Sequence, residues 1–141
     1  MQKTLFHLLT VLVLLSVLSA CSELPYTNID NAELAELSAQ GVAVVDIRRA
    51  EEWQQTGIVK DSETLTAFDR SGRLSANFLP EFTSKYSKDT PVVLICRTGN
   101  RTSALANYLA TEQGYTNIYN VRDGITSWIR KDQPVVKCNQ C

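Results

Sequence analysis

The chain is expected to fold as an α/β domain whose mainly parallel sheet is covered by helices on both faces. Short β-branched runs alternate along the sequence with segments whose apolar residues recur at helical spacing. The apolar runs are continuous, which is typical of parallel strands buried on both faces. Asp46 and Cys96 stand at the carboxyl ends of two such runs. Open α/β sheets place their functional sites at these ends.

Local signals define most of the elements. Strands are expected at 26–29, 42–47, 92–95 and 117–121, and helices at 30–39, 49–55, 74–86, 101–113 and 124–130. Asp30 and Glu33 make a capping-box pattern at the start of the first helix, and glycines stop the first two helices. Because Pro80 lacks an N–H donor, it has to lie in a first helical turn or start a new helix. The segment 63–68 is ambiguous and is interpreted as a short strand before a turn.

The first 20 residues are predicted to be a targeting signal and not part of the folded domain. A positive start is followed by an apolar core over 5–18 and by the sequence Leu-Ser-Ala-Cys, which ends at Cys21. This resembles a bacterial lipoprotein signal and implies that Cys21 carries a lipid anchor facing the periplasm. Ser22 in place of Asp then implies the outer membrane in a Gram-negative cell. An ordinary signal peptide or an uncleaved anchor is the alternative, although the apolar core is shorter than the roughly 20 residues of a membrane span.

The rest of the chain is expected to contain one domain. The predicted division is an anchor linker over 21–28, the α/β domain over 29–131 and a tail over 132–141. A formal net charge of −1 argues against a nucleic-acid partner. The single histidine, His7, lies in the predicted signal segment. The mature protein would therefore lack the imidazole of Ser-His-Asp and Cys-His catalysis and of His-ligated zinc, and no metal or cofactor is expected.

Cys96 has the surroundings of a nucleophile. It follows the apolar run 92–95, and a helix is expected to begin a few residues later. The unpaired N–H groups and the positive dipole end at a helix N-terminus favour an anion. Arg97 and Arg101 add positive charge that stabilises a thiolate. A buried, inert cysteine is the alternative, but the arginines and Gly99 beside it argue against that interpretation.

The spacing Cys96-x4-Arg101 resembles the active-site loop of the rhodanese family of sulfurtransferases, in which six residues cradle a cysteine persulfide. Tyrosine phosphatases use a wider Cys-x5-Arg loop for a tetrahedral phosphate, so loop length argues against phosphatase or arsenate chemistry. The resemblance implies that Cys96 is the catalytic residue. It also implies a loop that binds the persulfide, formed by Arg97, Thr98, Gly99, Asn100 and Arg101.

The resemblance covers roughly residues 29–128. Further matching motifs are Asp46-x-Arg48, Glu52-Trp53, Gly57-Ile58 and Gly124-x-x-x-Trp128. The family implies that Asp46 and Arg48 brace the active-site loop, the alternative being a surface ion pair that contributes little. The histidine that usually follows the first glycine is absent, and 59–62 replaces the usual Pro-Gly-Ala run. Substrate choice is therefore left open.

The implied activity is the transfer of sulfane sulfur from thiosulfate or a low-molecular-weight persulfide, through a Cys96 persulfide, to a thiol or cyanide. One alternative is a non-catalytic module that binds a partner or senses oxidants. Another is a thiol–disulfide protein that uses Cys138 and Cys141, which form a Cys-x-x-Cys sequence. In an oxidising periplasm this pair is expected to form a local disulfide. The tail is expected to be flexible after Trp128, so the pair could instead take sulfur from Cys96.

Overall fold

The computed structural model describes residues 23–138, and this part contains seven strands and five helices. The strands are β1 Thr27–Ile29, β2 Ala43–Asp46, β3 Ile58–Val59, β4 Glu63–Thr64, β5 Val92–Ile95, β6 Ile118–Val121 and β7 Val135–Val136. The helices are α1 Asn31–Ala39, α2 Ala50–Thr56, α3 Phe78–Lys85, α4 Asn100–Thr111 and α5 Gly124–Arg130. Within the described residues, no helix is both long and apolar enough to span a membrane.

A five-stranded sheet forms the centre of the domain. Its order is β1-β6-β5-β2-β4, and all neighbouring strands are parallel. Asp46 of β2 lies opposite Ile95 of β5 in the register. The carboxyl ends of these two strands therefore lie side by side, which brings Asp46 and Cys96 to the same edge of the sheet, as predicted.

Helices cover both faces of this sheet, which confirms the predicted fold class. Successive residues of β5 point to opposite faces, as the period of two in a strand requires. Val92, Leu94 and Cys96 belong to a buried cluster that includes residues of α3 and α4. Val93 and Ile95 belong to a second cluster that includes residues of α1 and α5. The side chain of Cys96 therefore lies on the α3 and α4 face.

The helix boundaries follow local chemistry, with one clear difference from the prediction. The capping box of α1 is present, because Asp30 Oδ1 accepts from the backbone of Glu33 and Glu33 Oε2 accepts from the backbone of Asp30. The helix predicted over 74–86 begins only at Phe78. Leu74 instead forms an isolated antiparallel β-bridge with Phe68. The chain is therefore not yet helical at Leu74. Pro80 lies in the first turn of α3, where its missing N–H has no helical partner to lose.

The segment after α5 also differs from the prediction. Val135 and Val136 form β7, which pairs antiparallel with β3 as a separate two-stranded ribbon. The indole N–H of Trp128 donates to the carbonyl oxygen of Pro134 at 2.9 Å and helps to hold this segment. The tail is therefore attached to the domain at least as far as β7. At the other end, β1 begins at Thr27, inside the segment predicted as a linker.

Candidate active site

Cys96 lies immediately after β5, at the start of the candidate active-site loop. Its side chain is buried, with 1 % of the residue exposed. The backbone N–H of Gly99 points to Cys96 Sγ at 3.2 Å, and the hydroxyl oxygen of Thr102 lies 3.4 Å from the same sulfur. Gly99 is the N-cap of α4. The sulfur therefore sits at a helix N-terminus, where donors and the helix dipole favour negative charge.

Two glycines allow the loop to pack tightly against the backbone before α5. Gly99 has a φ of +88°, and a Cβ there would lie 1.9 Å from the carbonyl oxygen of Arg122. Gly124 has a φ of +61°, and a Cβ there would lie 2.4 Å from the carbonyl oxygen of Arg97. Neither position has room for a side chain, and the positive φ at each of them also favours glycine.

The start of α5 also donates hydrogen bonds to the loop. The N–H of Ile125 donates to the carbonyl oxygen of Cys96 at 2.9 Å, and the N–H of Thr126 donates to that of Arg97 at 3.1 Å. These are first-turn N–H groups, which have no acceptor within their own helix. The carbonyl groups of Cys96 and Arg97 thus point towards α5. The sulfur of Cys96 instead accepts from the N–H of Gly99.

Arg101 is held by Glu52 of α2. Its two terminal nitrogens donate to the two carboxylate oxygens of Glu52 at 2.9 and 2.7 Å. Although burial acts to raise the pKa of Glu52, the hydrogen bonds from Arg101 and from the backbone of Arg49 lower it to about 2. The hydrogen bond with Glu52 raises the pKa of Arg101. The charge of Arg101 is therefore largely balanced by its own partner.

Asp46 and Arg48 form a buried ion pair that supports α2. Their side chains are 0 % and 1 % exposed, and Arg48 Nη2 lies 2.7 Å from Asp46 Oδ2. The other hydrogen bonds of Arg48 go to the hydroxyl of Thr56 and to the carbonyl oxygens of Glu52 and Gly57. The pair thus holds the end of α2 in place, and α2 in turn carries the Glu52 that binds Arg101. Asp46 and Arg48 are therefore not the weakly interacting surface ion pair of the alternative interpretation.

A cleft of about 560 Å³ opens above the loop. Its charged lining residues are Arg48, Arg49, Glu51, Glu52, Arg97 and Arg101. Among the residues that the structure describes, Arg97 is the one cleft arginine without a carboxylate at ion-pair distance, and it is exposed. Ile125 and Ile129 add an apolar wall. The cleft can therefore receive an anion next to a small apolar group.

The structure brings the predicted loop together but places Cys138 of the predicted Cys-x-x-Cys pair elsewhere. Arg97, Thr98, Asn100 and Arg101 line the cleft, and Gly99 contacts Cys96 Sγ through its N–H. Cys138 lines a different cavity and is disulfide-bonded. Cys21 and Cys141 lie outside the described residues, so their lipidation and pairing stay predictions.

Sequence reasoning did not assign two of the residues that contact this site. Glu52 belongs to the Glu52-Trp53 motif, but nothing in the sequence indicates its contact with Arg101, 49 residues later. Thr102 is a buried hydroxyl in the first turn of α4. A hydroxyl one residue beyond the Cys-x4-Arg spacing could have indicated it, because the first turn of a helix is where an anion is favoured.

The chain belongs to the rhodanese-like domain family, whose profile matches residues 30–131. A sulfurtransferase of Allochromatium vinosum is 34 % identical over 110 residues, covering 77 % of this chain and 92 % of that protein. The thiosulfate sulfurtransferase GlpE of Tolumonas auensis is 35 % identical over 72 residues, covering 50 % of this chain and 67 % of the relative.

Solved structures agree with this assignment of the fold. A rhodanese-related protein of Thermoplasma volcanium has a TM-score of 0.59 and 29 % identity, covering 79 % of this chain and 98 % of that one. The polysulfide-sulfur transferase homodimer of Wolinella succinogenes has a TM-score of 0.63, with 82 % of each chain covered. At 18 % identity, the latter supports the fold alone.

Proposed function

We propose that the protein is a sulfurtransferase that carries sulfane sulfur as a persulfide on Cys96. The observation that carries this proposal is the N–H of Gly99, which donates to Cys96 Sγ at 3.2 Å at the N-terminus of α4. A sulfur anion in this position is stabilised by a preorganised donor and by the helix dipole. The names of the relatives from Allochromatium vinosum and Tolumonas auensis support the same reaction class.

The reaction would proceed in two half-reactions. The Cys96 thiolate attacks the outer sulfur of a donor such as thiosulfate, the S–S bond of the donor breaks, and sulfite leaves with the bonding electron pair. An acceptor thiolate or cyanide then attacks the terminal sulfur of the Cys96 persulfide. The product persulfide or thiocyanate leaves, and the Cys96 thiolate is released. The overall transfer needs no external oxidant or reductant.

Arg97 is the group that we expect to attract an anionic donor. The other cleft arginines contact Asp46, Glu51 or Glu52. Arg97 is exposed and lines the cleft directly above the loop. A guanidinium can donate to two oxygens of one anion, and both the sulfonate end of thiosulfate and the carboxylate of a low-molecular-weight persulfide offer such oxygens.

The first test is transfer from thiosulfate to cyanide. Cys96→Ser should abolish thiocyanate formation and leave the fold intact, because the substitution is nearly isosteric. Cys138→Ser is the matched control and should keep most of the activity. Loss of activity in Cys138→Ser with activity retained in Cys96→Ser would support the thiol–disulfide alternative. If the wild type forms no thiocyanate, the non-catalytic alternative is favoured.

We also propose that the protein is attached to the cell-envelope membrane through a lipid on Cys21. The support is the Leu-Ser-Ala-Cys sequence that ends the apolar segment. Each buried acyl CH₂ group contributes about 0.8 kcal/mol, and more than one chain gives stable attachment. Cells should incorporate labelled palmitate into the wild type and into Cys138→Ala, but not into Cys21→Ala. An unlipidated N-terminus at another residue would contradict the anchor.

A further inference from the structure

Thr102 is placed to act directly on the sulfur of Cys96. It is fully buried in the first turn of α4, and its hydroxyl lies 3.4 Å from Cys96 Sγ. The same hydroxyl donates to the carbonyl oxygen of Gly99 at 3.0 Å. The neighbouring hydroxyl of Ser103 contacts the hydroxyl of Tyr26 instead, at 2.7 Å. Thr102 is therefore the hydroxyl of this turn that reaches the nucleophile.

The hydroxyl has one proton and two acceptors within reach. When Cys96 is a thiol, its S–H can donate to Thr102 Oγ1 while Thr102 donates to the carbonyl oxygen of Gly99. When Cys96 loses its proton, the sulfur becomes a charged acceptor that competes with this carbonyl. Hydrogen bonds to charged groups are stronger than those between neutral groups. A rotation about one bond then turns the Thr102 proton towards the sulfur.

We propose that Thr102 is a positioning residue that stabilises the Cys96 thiolate through this change of hydrogen-bond partner. The proposal rests on the role of Cys96 as the nucleophile of the proposed reaction. Once the persulfide forms, its charge moves to the terminal sulfur and the inner sulfur is neutral, so the hydroxyl returns to Gly99. Thr102 thus favours the free thiolate, which attacks the donor in the first half-reaction and is released in the second.

Other charged groups surround Cys96, and the substitutions at Thr102 leave these residues unchanged. Arg97 lies in the loop itself, and Arg101 of α4 is paired with Glu52 of α2. The buried ion pair of Asp46 with Arg48 lies at the end of the neighbouring strand β2. On the side of α5, the Cys96 carbonyl oxygen accepts an N–H. A change that is specific to Thr102 variants can therefore be assigned to the hydroxyl.

The test is the pH profile of Cys96 alkylation by iodoacetamide, followed by mass spectrometry of the Cys96 peptide. Thr102→Val keeps the shape of the side chain and removes the hydroxyl. It should react about tenfold more slowly near neutral pH, and the pH of half-maximal rate should rise by about one unit. Thr102→Ser should restore most of the wild-type profile. Ser103→Ala, the matched control in the same helical turn, should leave the profile unchanged.

The pH profile separates this role from a structural one. If Thr102 only held the carbonyl oxygen of Gly99, its removal with the N–H of Gly99 still on the sulfur would change the rate at every pH without moving the midpoint. An unmoved midpoint in folded Thr102→Val, or an equal shift in Ser103→Ala, would overturn the proposal. If Thr102→Val does not fold, Thr102→Ala is judged by the same criteria. Because alkylation needs no sulfur donor, a shifted midpoint without sulfur transfer would refute the proposed function and leave the role of Thr102 intact.

Discussion

At the scale of single residues, the positive charge of the cleft is distributed unevenly among its arginines. Arg101 donates two hydrogen bonds to Glu52, and Arg48 is buried with Asp46. Both guanidinium groups thus serve mainly to hold side chains and helices in place. The exposed Arg97 and the N–H of Gly99 are left to meet an incoming anion. Counting arginines near Cys96 in the sequence would overestimate the free positive charge.

The pair of Glu52 with Arg101 predicts a specific pH dependence of stability. The pKa of Glu52 is lowered from 4.5 to about 2 in the folded protein. A lowered folded pKa means that the carboxylate stabilises the fold above about pH 4.5, and that this contribution is lost as the pH falls towards 2. Glu52→Gln should therefore lower the free energy of unfolding by about 1–3 kcal/mol at neutral pH and by much less near pH 2.

Urea unfolding of the wild type and the variant at several pH values measures this difference. Glu51→Gln is the matched control, because the Glu51 side chain is 48 % exposed and its pair with Arg49 lies at the surface. Its effect should stay within about 0.5 kcal/mol at each pH. A difference between wild type and Glu52→Gln that is the same at pH 7 and pH 2 would refute the assigned role of the carboxylate.

At the scale of elements, the active-site loop is held from both sides by helices. The N-cap residue of α4, Gly99, donates its N–H to the sulfur, whereas α5 binds the loop carbonyls through the N–H groups of Ile125 and Thr126. α5 can approach this closely only because its first residue is Gly124. Packing therefore explains why the Gly-x-x-x-Trp motif begins with glycine. Trp128, at the other end of the motif, is buried in the core.

Replacing Gly124 tests this contact between α5 and the loop. Gly124→Ala should destabilise the protein and reduce sulfur transfer, because a Cβ would meet the carbonyl oxygen of Arg97 at 2.4 Å. Gly114→Ala is the matched control, since Gly114 also has a positive φ but has no atom within 4 Å of an added Cβ. It should cost about 1–2 kcal/mol in stability from backbone strain and keep normal activity.

Thermal unfolding and the cyanide assay measure the two effects. If the contact matters, Gly124→Ala loses activity beyond what its stability explains, whereas Gly114→Ala does not. Equal losses of stability and activity in both variants would mean that backbone strain alone is responsible. The packing of α5 against the loop would then have no special role in catalysis.

At the scale of the whole molecule, the α/β fold was predictable because its strands are strongly apolar and its helices carry caps. The capping box at Asp30 and the strand over 92–95 agree with the structure at the level of single residues. Several predicted helix ends differ by one or two residues. The larger error at the start of α3 arose because Leu74 has the spacing of a helical residue but pairs with Phe68.

Long-range contacts could not be predicted from local patterns. The ribbon of β3 with β7 joins two-residue strands whose paired residues are 76 and 78 positions apart, and neither strand has a periodic signal. The bond between Arg101 and Glu52 likewise depends on how α2 and α4 are placed by the sheet. The loop itself was predictable, because its spacing, glycine and arginine are contiguous in sequence. The surrounding cleft depends on contacts that only the folded chain makes.

The central claim is that Cys96 carries the transferred sulfur. The most direct measurement is mass spectrometry of the intact protein and of its peptides after treatment with thiosulfate, without a reductant. The account predicts a gain of one sulfur atom on the Cys96 peptide, which disappears on addition of cyanide and is absent in Cys96→Ser. Sulfur found only on the Cys138 peptide, or no added sulfur on any peptide, would contradict the account.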